Sequence, residues 1–168
     1  MNATRSGRPN IDTRTLRQTL GRFATGVTLV TCCDPEGRFV GLTVNSFSSL
    51  SLEPPLVLWS LQEGGPNMKA FLAATNFAVN VLAESQISLS QRFSGGEPDR
   101  FAEGDWSLGA HGAPILEGCC AVLQCRSISH QVAGDHRLFI GQVLHCADRD
   151  LPPLLFHSAC YRRLGARL

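Results

Sequence analysis

Apolar and polar positions change their spacing several times along the chain, and each change marks a short element. Leu16, Leu20 and Phe23 recur four and three residues apart, which predicts a helix capped by Asp12 or Thr13. Residues 27–32 are β-branched and apolar and read as a strand. Asp34-Pro35-Glu36-Gly37 has the composition of a turn, so residues 38–44 return as the second arm of a hairpin. Residues 45–51 then hold four serines and an asparagine and read as a polar loop. Pro54-Pro55 ends that loop, and residues 56–60 form a buried strand.

Downstream, Gly64-Gly65-Pro66 opens a helix over residues 67–74, and residues 77–82 are another strand. Ser85 caps a short helix over 86–93, with Ile87, Leu89 and Phe93 on its apolar side. Residues 94–118 show little period and many Gly and Pro, so they read as irregular, with a turn of helix at 99–103. Two long strands, 120–133 and 137–147, flank a tight turn at Gly134-Asp135. A last short strand runs from Leu154 toward Tyr161. Strands grouped as hairpins, with few helices between them, argue against a doubly wound parallel sheet. The expectation is a mainly β fold: an antiparallel, Greek-key-like β-barrel with peripheral helices. Residues 1–10 are expected as a flexible tail and 11–168 as a single domain.

Composition narrows the picture. The chain is 168 residues long, 43% hydrophobic and 17% charged, with a formal net charge of +1. That balance gives no basis for nucleic-acid binding. No apolar run approaches a membrane span and the N-terminus has no hydrophobic signal segment, so a cytoplasmic protein is expected. Of the seven cysteines, two pairs are adjacent and none forms a C-x-x-C, so they read as small core residues. Trp59 and Trp106 read as core or interface packing, and Asp99-Arg100 as a loop ion pair.

Several chemistries lack their signatures. The chain has no Gly-x-Gly-x-x-Gly fingerprint, no P-loop and no Gly-x-Ser-x-Gly elbow, and its five histidines are scattered, so no metal site is expected. What remains is a stretch of neutral hydrogen-bonding groups at 45–51, a helix start at Asn67 suited to an anion, and His136 one residue past a hairpin turn. Together they describe a site for a flat polar heterocycle with a phosphate tail, the shape of a flavin.

The order of these stretches resembles the short-chain flavin reductase family, the reductase component of two-component flavin-dependent monooxygenases. The likeness is carried by residues 23–28, 41–51 with Pro54-Pro55-Leu56, 77–82, Asp99-Arg100-Phe101, and 134–141 beginning Gly134-Asp135-His136. It implies a split-barrel, FMN-binding fold acting as a homodimer. It also implies hydride transfer from NADH or NADPH to FMN or FAD, with the reduced flavin passed to a partner monooxygenase. By the same resemblance Thr43, Val44, Asn45 and Ser46 meet the isoalloxazine and ribityl groups, with Thr28 nearby. Ser60 and Asn67 meet the phosphate region, and His136 is the catalytic residue facing the nicotinamide. Phe93, Arg100 and Tyr161 are carried to the same site. Asn67 departs from the Ser or Thr expected there. Two other readings share the fold: a flavin storage or sensor protein, and a pyridoxine-phosphate-oxidase-like enzyme.

Overall fold

The computed structural model describes residues 11–167; the expected N-terminal tail, 1–10, lies outside them. Helix α1, Thr13–Leu20, starts where Asp12 accepts a hydrogen bond from the Thr15 N–H at 2.9 Å. Its apolar stripe does not pack into the core: Leu16, Leu20 and Phe23 are all exposed. The short strand β1, Thr25–Gly26, follows. Then come β2, Thr28–Cys33; β3, Phe39–Val44; β4, Ser48–Leu52; and β5, Pro55–Gln62. Helix α2, Met68–Ala73, leads to β6, Asn76–Val81. A 3₁₀ turn, Glu84–Gln86, precedes helix α3, Ile87–Ser94. Strands β7, Trp106–Leu108, and β8, Pro114–Leu116, form a small hairpin. The long arms β9, Ala121–Ala133, and β10, His136–Asp148, precede β11, Leu155–His157, and β12, Cys160–Arg162.

The strands do not form the expected antiparallel, Greek-key-like barrel. The main sheet is antiparallel and seven-stranded, in the order β3-β2-β6-β9-β10-β5-β4, and among the described residues no pairing joins β3 to β4. The fold is mainly β with peripheral helices, but the sheet is open. The physical reason lies at its edges. The β3 edge is covered by side chains instead of a strand: the Gly41 carbonyl accepts from Arg100 at 3.1 Å and from Asn67 at 3.4 Å, and Thr43 Oγ1 donates to the Ser90 carbonyl of α3. The β4 edge is short and carries Ser48, Ser49 and Ser51. The link between these edges is only residues 45–47, a span of at most ~15 Å at ~3.8 Å per Cα step.

Two further expectations change. The polar stretch 45–51 is not one loop, because Ser48 onward is strand β4, held by β5. Residues 94–118 are not irregular throughout. They contain the β7–β8 hairpin, fastened by buried polar groups: Asn80 Oδ1 accepts from the Leu116 N–H at 2.9 Å, and Thr31 Oγ1 donates to the Pro114 carbonyl at 2.6 Å. Ser85 does not cap α3. Gln86 Oε1 accepts from the Ala83 N–H at the preceding 3₁₀ turn.

The core lies on one face of the sheet around Trp59, which stacks on Phe139 at 4.6 Å and meets Phe71 edge-on at 4.8 Å. A second cluster, containing Leu29, Leu82 and Phe93, packs beneath α3 and the small hairpin. Gly141 lets β10 pass Phe77: a Cβ there would stand 2.7 Å from Phe77 Cε1. Cys32, Cys119 and Cys125 are buried as expected, and burial pushes their thiols up to about 12. Cys146 and Cys160 are exposed, however. No helix among the described residues is long and apolar enough to cross a membrane.

Candidate functional site

The open seam of the sheet holds a cavity of about 610 Å³. One wall is the end of β3 and the link that follows it: Thr43, Val44, Asn45 and Ser46. The floor is the end of β5, from Ser60 to Gln62, with His136 paired opposite Gln62 at the start of β10. The turn Gly65-Pro66-Asn67 and the C-terminal end of α3, from Phe93 to Gly96, complete it, with Arg100 beside them. A smaller cavity of about 320 Å³ adjoins this one, sharing Thr43, Asn45 and Ser94 and bounded by Phe156 and Tyr161.

The structure therefore brings Thr43, Val44, Asn45, Ser46, Ser60, Asn67, Phe93, Arg100 and His136 around one space, with Tyr161 at the neighbouring one. Thr28 is not at the surface of either. It is buried behind the wall, and its Oγ1 donates to the Val44 carbonyl at 2.9 Å. Val44 is also buried, its side chain in the core.

Hydroxyls expected to face a ligand are engaged within the protein. Thr43 Oγ1 donates to the Ser90 carbonyl at 2.6 Å. Ser46 Oγ accepts from the Ser60 N–H at 3.0 Å and donates to the Ser60 carbonyl at 3.2 Å. Tyr161 and Ser90 share a hydrogen bond at 2.9 Å. These groups fix the wall's shape. The Asn45 amide makes no side-chain hydrogen bond among the described residues and is exposed at the cavity.

Arg100 does not pair with Asp99. Its Nη1 donates to the Gly41 carbonyl and its Nη2 to the Gly95 carbonyl at 2.7 Å, which leaves other guanidinium N–H groups free. Asn67 caps α2 without a side-chain cap bond. His136 Nδ1 lies 2.8 Å from Asp135 Oδ1, and that contact holds the Asp135 carboxyl below the usual carboxylate range. The turn carrying His136 is anchored twice. The Glu63 N–H donates to the Asp135 carbonyl at 2.9 Å, and Arg137 Nε donates to Glu63 Oε1 at 2.7 Å. Among the described residues no group of His, Cys, Asp and Glu is arranged to hold a metal ion.

The sequence reading missed Gln62, Ser94, Gly95 and Gly96, all of which border the cavity. The Gly95-Gly96 pair directly after a helix was the available signal, since it lets the backbone approach a ligand closely.

The site's neutral wall, single arginine and loop histidine lie within residues 20–165, the span that matches the flavin reductase like domain. The chain belongs to this family. It is 43% identical over 154 residues to the FMN reductase (NADH) SmoA of Agrobacterium fabrum, covering 92% of this chain and 87% of that protein. It is 42% identical to the reductase subunit HsaB of a flavin-dependent monooxygenase from Rhodococcus jostii, covering 90% of this chain and 77% of that one. Among solved structures, the NADH:FAD oxidoreductase SgcE6 of Streptomyces globisporus, in complex with NAD and FAD fragments, superposes with a TM-score of 0.87. Its identity is 35%, with 92% of this chain and 93% of that one covered. Two relatives from Rhizobium meliloti are longer, and the chain spans 42% and 57% of them.

Proposed function

We infer that this protein is an NAD(P)H-dependent flavin oxidoreductase that reduces FMN or FAD and supplies the reduced flavin to a partner monooxygenase. The observation that carries the reading is the cavity at the open seam, in a chain that matches the flavin reductase family over nearly its whole length. The residues fit a flavin. The Asn45 amide and the loop backbone offer neutral donors and acceptors to a ring edge, and Asn67 with the spare N–H groups of Arg100 offers donors to a phosphate. A bound flavin supplies the redox chemistry, accepting hydride from reduced nicotinamide. The protein's part is to hold two flat rings together, which needs positioning more than a strong acid or base. Thr43 and Ser46 shape the wall through Ser90 and Ser60. His136, on its doubly anchored turn, stands where a nicotinamide nucleotide would meet the flavin. Both the SmoA and SgcE6 names specify NADH, and the HsaB name specifies a monooxygenase partner.

A homodimer belongs to the same reading. The outer face of the sheet presents Leu56 and Leu58 of β5 beside Leu138 and Ile140 of β10, all only half-buried. By strand alternation Ser60, Gln62 and His136 share that face. A second copy covering it would also border the cavity. The seven cysteines include no disulfide among the described residues, which suits a reducing cytoplasm.

The direct test is the loss of NADH or NADPH absorbance on adding FMN, FAD or riboflavin to the purified chain. A flavin-dependent rate is expected; no rate with either nicotinamide overturns the reading. Light scattering on the same sample should give twice the chain mass, and a monomer at working concentration would remove the dimer.

A further inference from the structure

The turn that brings His136 to the cavity is held from behind. Side chains along β10 alternate between the two faces of the sheet, so Arg137 lies on the face opposite His136, the one that carries Phe139 and the core. Neither Arg137 nor Glu63 borders the first cavity, but their chain neighbours do: His136 beside Arg137, and Gln62 and Gly65 around Glu63. Arg137 Nε donates to Glu63 Oε1 at 2.7 Å, and its Nη1 donates to His130 Nδ1 of β9 at 3.1 Å. The His130 ring lies 5.8 Å from that of Phe139, which stacks on Trp59. The Arg137–Glu63 pair joins residues 74 apart in the chain, and its side chains are only 19% and 33% exposed. The Arg38 pairs, by contrast, join neighbours within one turn, with Arg38 73% exposed.

We propose that Arg137 is a positioning residue for hydride transfer: tied to Glu63 on one side and His130 on the other, it fixes the turn that sets His136 against the nicotinamide. The inference rests on the reductase reading given above. The need for such a tie lies in the backbone. The β5–β10 ladder ends at the pair Gln62 and His136. Just past it the chain holds Gly64-Gly65 on one side, with Gly64 at a φ of 75°, and Gly134 at a φ of 67° on the other. Glycines leave both turns freedom that a side chain must remove. The His136 ring has little hold of its own, since its side-chain partner is Asp135, which is 85% exposed. Its placement therefore follows its turn, and that turn leans on Glu63, whose N–H donates to the Asp135 carbonyl at 2.9 Å. Arg137 fixes the Glu63 carboxylate, and His130 fixes the other edge of the guanidinium against the core. The flavin side does not depend on this tie. Its wall is held by Ser90 and Ser60, and the Asn67 turn by the bond from the Met68 N–H to the Gly65 carbonyl at 3.1 Å. Loosening Arg137 is thus felt by the nicotinamide first, and a misplacement on the order of 1 Å is costly to a reaction that depends on orientation.

The test is steady-state kinetics with NADH, and fluorescence titration with FMN, on wild type, Arg137→Met, Arg137→Lys, and each of these changes in a His136→Ala background. Met keeps the stem and removes the donors. Arg137→Met should raise the KM for NADH about fivefold or more and keep FMN affinity within about twofold. Arg137→Lys can reach Glu63 or His130 but lacks the planar fork that holds both, so its KM should fall between wild type and Met. In the His136→Ala background either change should add less than about twofold, because a residue that acts through His136 has nothing left to place. A merely structural role gives another pattern: FMN affinity falls as the KM rises, and the loss persists without His136. Either of those results, or an unchanged KM for Arg137→Met, overturns the proposal. If Arg137→Met does not fold, Arg137→Lys carries the same comparison between the two backgrounds, with a larger rise beside His136 expected and equal rises refuting the role. No NADH oxidation by wild type is failure of the reductase reading itself, distinct from a wild-type rate that the Arg137 variants leave unaltered.

Discussion

Replacing Ser46 with alanine separates two roles for a residue that the family resemblance places against the flavin. On one side Ser60 is paired with β10, but strand β4 covers β5 only from Pro55 to Leu58, so on the other side Ser60 lies beyond that strand's end. The Ser46 hydroxyl takes that place, accepting from the Ser60 N–H at 3.0 Å and donating to its carbonyl at 3.2 Å. Each such bond contributes about 0.5–1.5 kcal/mol net, and the site is half-buried, so water recovers part of the loss. The expected cost of Ser46→Ala is therefore ~1–2 kcal/mol of folding stability, a factor of roughly 5–30 in the folded-to-unfolded ratio. Urea denaturation should show a lower midpoint with an unchanged slope. Flavin affinity should fall by no more than about threefold, because the hydroxyl has no free proton to offer a ligand. An unchanged midpoint with flavin binding weakened by tenfold or more would refute the reasoning and turn the hydroxyl toward the ligand.

Three further outcomes follow from the same geometry. His136→Ala should raise the KM for NADH far more than it alters flavin affinity, and the reverse pattern in steady-state kinetics and titration would move His136 to the flavin half of the site. Gly141→Ala drives a methyl into the Phe77 ring and should cost at least about 1–3 kcal/mol by thermal or urea melt, with Phe77→Leu in the same chain restoring part of it; a neutral Gly141→Ala would contradict the packing described. The Thr15 N–H holds the Asp12 carboxyl below its ordinary pKa. The stability this cap contributes is then full above the unfolded-state pKa and lost as pH falls through the lower, folded value. Asp12→Ala should therefore be less stable than wild type at neutral pH and converge with it in acid, and parallel pH–stability curves would disprove the cap's part.

Much of this molecule was legible from local pattern. The runs now seen as β2, β3, β5, β6, β9 and β10 are β-branched or continuously apolar, and each was placed to within a few residues. The position of His136 at the start of the β10 arm was legible because a Gly-Asp pair marks a hairpin tip, and Gly134 does take a positive φ of 67°. What escaped depended on contacts between distant residues. Strands β7 and β8 have three residues each, too few for a period, and are fastened by Asn80 and Thr31 from elsewhere in the chain. The serines at 48, 49 and 51 look like loop residues, yet they make an edge strand because β5 offers a free side. The directions of the Thr43 and Ser46 hydroxyls depend on Ser90 and Ser60, and no spacing in the sequence encodes that. The open sheet was missed for a related reason: strand count and hairpin order are the same whether or not the two edges pair.

The three-residue link across the seam also bears on the order in which the molecule assembles. Strands β3 and β4 are neighbours in sequence and stand at opposite ends of the sheet, with five strands between them, two of which, β9 and β10, lie downstream of residue 120. A nascent or refolding chain can form the β2–β3 hairpin early, since its loop-closure entropy is small. The Ser46–Ser60 contact is local and can form with the β4–β5 hairpin, but Thr43 of β3 and His136 of β10 border one cavity only once β6, β9, β10 and β5 have joined in turn. Competence to bind is thus a late and global event in folding, and flavin fluorescence quenching should return only with the slowest refolding phase. A ligand that binds only the finished seam draws its stabilisation from the whole sheet at once.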